Sequence, residues 1–445
     1  MMALLTKDEA QALLKKVLSY SKADECEVNL TGTNTGNIRY ARNSVSTSGG
    51  ISTYTLVVQS AYGKKLGTAT INEFDDASLE KVVRRSEELA QLAPENPEYV
   101  SVLGPQKYAE PITYVPATAA ITPKMRADAV AQSLQVAKET KTVAAGFMED
   151  TTTVNVMMNS KGLFAYNTST GVNFSITMRT EDGKGSGYAT RGYNDITKLD
   201  AKKASQIAAD KGVKSATARA IEPGKYTVIL EPAAAAVLME NIFFGLDARQ
   251  ADEGRSFLST TGGKTRLGEK LVDERVNIYS DPLNPDLPTS TWAADGRPQE
   301  KVSWIEKGVV KNLTFSRYWA EKKGVKAVPP PAGVIMEGGT KSVEELIKGT
   351  KKGILVTRLW YIRPVDPQTL LLTGLTRDGT FYIENGEIKY PIKNFRFNES
   401  PVIMLNNLEE LGKVERTVSV ESNTNYLLPP MKIRDFTFSS LSDAV

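Results

Sequence analysis

The sequence predicts an α+β fold: an N-terminal domain with a mostly antiparallel sheet, followed by a strand-rich C-terminal domain that opens with a buried helix. Three observations point there. Short alternating runs recur between glycine-rich or polar turns. Helical periodicity is confined to a few segments with their own start signals. A Pro-Gly break, Ile221-Glu222-Pro223-Gly224, divides the chain near its middle.

Thr6 and Glu9 form a capping-box pattern, and Ala10, Leu13, Leu14, Val17 and Leu18 then share one face of a first helix. Strand-like segments follow at about 27–30, 37–40, 51–59 and 66–71. A second helix is predicted over about 77–92, where Leu79, Val82, Val83 and Leu89 lie together and Pro94 marks the end. Prolines 94, 97, 105, 111, 116 and 123 deny regular hydrogen bonding to the stretch 94–123, which reads as a surface-hugging connection. A helix over about 124–140, strands near 154–158, 163–167 and 172–179, and a helix near 201–213 complete residues 1–220.

Residues 221–445 form the second predicted domain. A strand at 226–230 leads into a helix over about 232–246 that is apolar on nearly every side, the mark of a helix inside a core. Asn385-Gly386 between two alternating runs signals a hairpin, and Ile305-Glu306-Lys307-Gly308-Val309-Val310-Lys311 echoes it. Ser342 and Glu345 form another capping box, for a short helix ending near Gly349.

Composition removes several function classes. Among 445 residues there is no histidine, so any chemistry must proceed without the commonest transition-metal ligand and neutral-pH proton carrier. The 55 basic and 52 acidic residues are mixed along the chain, without a basic stripe, which argues against nucleic acid. The single cysteine, Cys26, excludes an intrachain disulfide and a Cys-rich zinc site and fits a reducing compartment; cytoplasm is the expectation. The apolar start is too short for a signal peptide, and no stretch reaches spanning length, so no membrane association is expected.

Candidate motifs are weak. Gly262-Gly263-Lys264-Thr265 lacks the first glycine of a phosphate-binding loop, having Leu258 in its place, and reads as a polar turn. Gly183-Lys184-Gly185-Ser186-Gly187 reads as a flexible hairpin tip. Ser19-Tyr20-Ser21-Lys22 fits Ser-x-x-Lys, a nucleophile pattern that dispenses with histidine, but it closes an amphipathic helix. Asp252-Glu253 and Asp273-Glu274 are neighbours that point apart, as on solvated faces.

One helix is more specific. Leu238-Met239-Glu240-Asn241-Ile242-Phe243-Phe244-Gly245-Leu246-Asp247, then Gly254-Arg255-Ser256-Phe257, resembles the core motif of the TldD/PmbA (TldE) family, peptidase components once named modulators of DNA gyrase. The likeness extends through Asp295-Gly296-Arg297-Pro298, Thr373-Gly374 and both hairpins, and is looser over 1–220. TldD-type members carry His-Glu-x-x-x-His in this helix; those positions fall here on Met239, Glu240 and Phe244. The family's C-terminal cysteine ligand has no counterpart. The chain thus resembles the PmbA/TldE branch, the non-catalytic partner of the metallopeptidase subunit, with a degenerate metal-motif helix at 232–246.

Donor chemistry agrees. Hydrolytic zinc takes about three ligands from imidazole, thiolate and carboxylate; a thioether is soft and a phenyl ring donates nothing. Core packing is the expectation for Met239 and Phe244. Glu240, a carboxylate within an apolar helix, must find an ion pair or line a vestigial pocket. No catalytic residue, metal or cofactor is expected of this chain. The resemblance implies a subunit that pairs with a TldD-type metallopeptidase in proteolysis of unfolded or extended peptides. The alternatives are a stand-alone hydrolase using Glu240 and Asp247, or Ser19 with Lys22, and a homodimeric peptide-binding protein.

Overall fold

A computed structural model describes residues 4–442. Thr6 and Glu9 close the expected capping box on α1 (Lys7–Tyr20), whose Ala10, Leu14 and Val17 are buried. Next come β1 (Glu25–Ala41), β2 (Ser44–Tyr62), β3 (Lys65–Ile71) and α2 (Asp76–Leu92). The proline-rich stretch carries no ladder until α3 (Pro116–Ala119), and Pro123 then opens α4 (Pro123–Thr140) at a position where its missing N–H costs nothing. The strands β4 (Thr142–Asn159), β5 (Phe164–Thr180) and β6 (Ser186–Tyr193) precede α5 (Ala201–Lys214).

The six strands form one antiparallel sheet in the order β3-β2-β1-β4-β5-β6. Helices α1 and α2 cover one part through Leu14, Val17, Leu79 and Val83 against Val28, Leu30, Leu56 and Val58. Helices α4 and α5 cover another through Val130, Ala137, Ala204 and Ala208 against Phe174, Ile176 and Met178.

The segments expected at 27–30 and 37–40 are one strand, and so are those at 163–167 and 172–179. The polar interruptions hid this continuity. Thr31-Gly32-Thr33-Asn34-Thr35-Gly36 pairs without a break against both β2 and β4. Its glycines make room for side chains lying across the sheet: a Cβ at Gly32 would overlap the Tyr54 ring, and one at Gly36 the Arg126 guanidinium. Arg126 is buried and pairs with Asp150 at 2.6 Å.

The glycines at 183–187 divide in role. Gly183, at φ 73°, makes the turn between β5 and β6. Gly185 and Gly187 instead let β6 press against α5, where a Cβ would strike the Gly212 and Ala208 carbonyls. That corrects the expectation of a flexible tip for the whole run: tight packing, not mobility, explains two of its glycines.

Beyond Gly224 the chain builds two larger sheets. The nine-stranded one holds β7 (Gly224–Leu230) at its centre, parallel to Lys352–Val356 and antiparallel to Met431–Leu441. The expected hairpin Thr380–Glu384 with Glu387–Pro391 sits at its edge, its Asn385 and Gly386 both at positive φ. A six-stranded sheet contains the echoing hairpin, Val302–Glu306 with Val309–Val310, turned by Lys307 and Gly308 in the same region. The capping box of Ser342 and Glu345 starts the short helix Val343–Lys348.

Between these sheets runs α6 (Pro232–Phe244), followed by α7 (Ala248–Asp252). Val228, Leu230 and Val356 of the larger sheet and Ile278, Trp304 and Met336 of the smaller one join α6 in a single apolar cluster. This is the buried helix the sequence predicts, ending two residues earlier than expected, at Phe244.

Candidate functional site: the motif helix and its cleft

An α-helix advances about 100° per residue, so positions five apart face directions about 140° apart. Met239 and Phe244 therefore meet different surroundings in this fold. Met239 is fully buried in the cluster around α6, as expected. Phe244 is 66% exposed, against the expectation of core packing, because it falls with Ala233 and Asn241 on the one stripe of α6 left uncovered. Backbone crowding fixes the helix end: a Cβ at Gly245 would strike the Phe257 ring packed against it.

Glu240 is 4% exposed. Of its two expected alternatives, an ion pair or the lining of a vestigial pocket, the ion pair is absent among the described residues; Oε2 instead accepts a hydrogen bond from Ser422 Oγ at 2.8 Å. Burial pushes its carboxyl above the usual range, the Ser419 and Ser422 hydroxyls oppose that shift, and the nearby charge of Glu421 adds to it. A carboxylate so placed holds two chain segments together.

The other candidates are scattered. Asp247 caps α7, accepting from the Gln250 N–H at 2.7 Å, and so is engaged separately from Glu240. Ser19 Oγ donates to the Lys16 carbonyl rather than engaging Lys22, whose backbone N–H donates to Glu87. Gly262 and Gly263 sit in the turn of a two-residue ladder. Asp252 corrects the expectation of a solvated face: it accepts from the Trp319 indole at 2.8 Å and pairs with Lys323 at 3.0 Å. Asp273 is tied to Arg275 at 2.7 Å.

A hydrolytic metal finds no fitting donor set on α6. Position 239 offers a thioether sealed in the core, 244 a phenyl ring, and 240 a carboxylate bonded to a serine. Among the described residues no group of three His, Cys, Asp or Glu is placed to hold an ion.

Phe244 lines a cleft of about 680 Å³ instead. Phe243, Leu287, Pro331 and Tyr426 supply its apolar wall, and Arg416 contributes the guanidinium. Phe243 and Tyr426 pack with ring centroids 5.3 Å apart. Little along the chain announces this cleft, since its walls come from segments near 194, 243, 287, 331 and 416–426; the run Pro329-Pro330-Pro331 is a local signal that could have pointed to a rigid rim.

Residues 26–90 match domain 1 of the PmbA/TldA metallopeptidases, 111–219 their central domain and 223–440 their C-terminal domain. The chain belongs to this family. Metalloprotease PmbA of Escherichia coli O157:H7 is 27% identical over 38% of this chain and 37% of its own length. A metalloprotease of Archaeoglobus fulgidus is 26% identical over 49% and 48%. The chain thus spans between about a third and a half of these relatives in the aligned regions. The fold extends further: TldE from Thermococcus kodakarensis superposes with a TM-score of 0.86 at 19% identity, covering 97% of this chain and 99% of that one. A candidate DNA gyrase modulator from Thermotoga maritima gives 0.86 at 18%, covering 97% and 100%. Family membership leaves the motif helix as found, with Met239 and Phe244 at the positions where the sequence resemblance places the TldD-type histidines.

Proposed function

We propose that this chain is the non-catalytic, TldE/PmbA-type subunit of a peptidase pair, which completes a TldD-type metallopeptidase acting on unfolded or extended peptides. One observation carries the reading. The helix that the resemblance equates with the metal-binding helix is intact as a packing element, yet its two would-be ligand positions carry apolar side chains, Met239 sealed in the core and Phe244 turned to solvent. The scaffold is kept while the Lewis-acid chemistry has no donors. Its strand-rich sheets suit capture of an extended chain by strand addition at a sheet edge. Residues 1–220 and 221–445 are the proposed structural units, and the cytoplasm the proposed location, consistent with a single buried thiol. Among the described residues no helix is long and apolar enough to cross a membrane.

The test is reconstitution. Purified chain, a TldD-type subunit and their mixture are assayed for bound zinc and for cleavage of unfolded casein. Zinc and turnover in the mixture, with neither in this chain alone, is the expected result. Turnover by the isolated chain would establish a stand-alone hydrolase. Absence of any gain on mixing would favour a homodimeric peptide-binding protein.

A further inference from the structure

Arg416 sits half-buried at the cleft with no carboxylate partner among the described residues. Its Nη1 donates to the Asp286 carbonyl at 2.7 Å, Nη2 to Asn194 Oδ1 at 2.9 Å and Nε to Asn425 Oδ1 at 3.4 Å, all neutral acceptors. One face stacks over the Tyr193 ring, 5.7 Å from its centroid. The Asp286 carboxylate is turned to solvent and Lys198. Burial, resisted by Tyr193 and Asp286, lowers the guanidinium's pKa to about 10, the sign of a cation desolvated without full compensation. Other N–H donors of the fork remain available.

Two further features belong to the same cleft. Thr289 Oγ1, on its lining, is buried without a hydrogen-bond partner among the described residues. Phe244 offers a large, exposed aromatic surface. The one carboxylate on the lining among the described residues, Asp247, is occupied at the start of α7. An apolar trough beside a guanidinium without a carboxylate partner is complementary to a ligand with a carboxylate at one end and an apolar group next to it.

We infer that this cleft binds the C-terminal carboxylate of an extended peptide ending in an apolar residue, with Arg416 pairing the carboxylate and Phe243, Phe244 and Tyr426 receiving the side chain. The choice of a peptide rests on the proposed role in handling extended chains. The binding itself requires neither metal nor partner, so its failure and that of the pairing model are separable.

The test is fluorescence anisotropy on the isolated full chain, using an N-terminally labelled hexapeptide that ends in leucine, as free acid and as C-terminal amide. The acid binds about tenfold or more tighter than the amide, as expected for a lost charge-assisted pair. Arg416→Gln abolishes that difference. Because Arg416 also braces Asp286 and Asn194, the comparison of acid with amide on the unaltered chain stands without the variant. Phe244→Ala, at an exposed position, weakens both peptides by a similar factor. Equal binding of acid and amide, or no binding of either, overturns the inference. Competition by inorganic phosphate as effective as that of the unlabelled acid reassigns the cleft to small anions and overturns it too. Displacement of the peptide by a TldD-type subunit would assign the cleft to the subunit interface, with the same consequence.

Discussion

Truncating the two apolar residues of the degenerate motif separates a core role from a surface role. Met239 is fully buried, so Met239→Ala removes its transfer free energy and leaves a cavity in a close-packed cluster, costing about 2–5 kcal/mol. A buried phenylalanine would cost as much. Phe244, however, is 66% exposed, so only about a third of a side chain that can bury about 150–250 Å² is covered. At about 25 cal/mol per Å², that area corresponds to about 1–2 kcal/mol, an upper bound because unfolded chains also bury apolar surface. A domain of this size loses roughly 2–4 °C of melting temperature per kcal/mol. Thermal unfolding followed by circular dichroism should therefore place Met239→Ala roughly 4–20 °C below the parent, and Phe244→Ala at most roughly 8 °C below it and above Met239→Ala. Neither should abolish casein cleavage by the mixed pair through loss of metal, since neither residue binds one. Equal destabilisation by the two substitutions would refute the assignment of opposite helix faces.

Further outcomes follow from the same geometry. Restoring histidine at both positions, Met239→His with Phe244→His, should leave zinc substoichiometric by elemental analysis, because position 239 is sealed in the core and no further donors are grouped to complete a site among the described residues; one tightly bound zinc per chain would contradict this. Glu240→Gln should leave the mixed pair's turnover nearly unchanged, and a large loss with intact folding would contradict a silent subunit. The same variant has a pH signature. The folded-state pKa of Glu240 is raised, so the native chain holds its proton more tightly and loses stability as pH rises through that pKa. Glu240→Gln removes that loss, so it should gain stability over the parent near neutral pH, with the gap closing as pH falls below the usual carboxylate range; urea midpoints at pH 4 and 7 measure it. Gly36→Ala should cost about 3 kcal/mol or more by displacing Arg126 from its buried pair with Asp150, whereas Gly49→Ala, with open space around it, serves as the near-neutral control in the same urea titration.

Local signals in the sequence determined much of the architecture: capping boxes at Thr6 and Ser342, proline at the start of α4, Asn385-Gly386 in its hairpin and the uniformly apolar α6 each state their conformation within a few residues. The missing imidazole and thiolate chemistry was equally legible, because ligands are residue types before they are positions. Tertiary structure alone decided the rest. Continuous pairing on both sides turned the polar stretch of β1 into strand, since two neighbours satisfy backbone groups that weak local propensity leaves uncommitted. It also decided that Phe244 faces solvent while Met239 does not, and that Arg416 meets Phe244 across one cleft. Exposure and convergence depend on which distant segments pack together, and periodicity along a single helix carries no record of them.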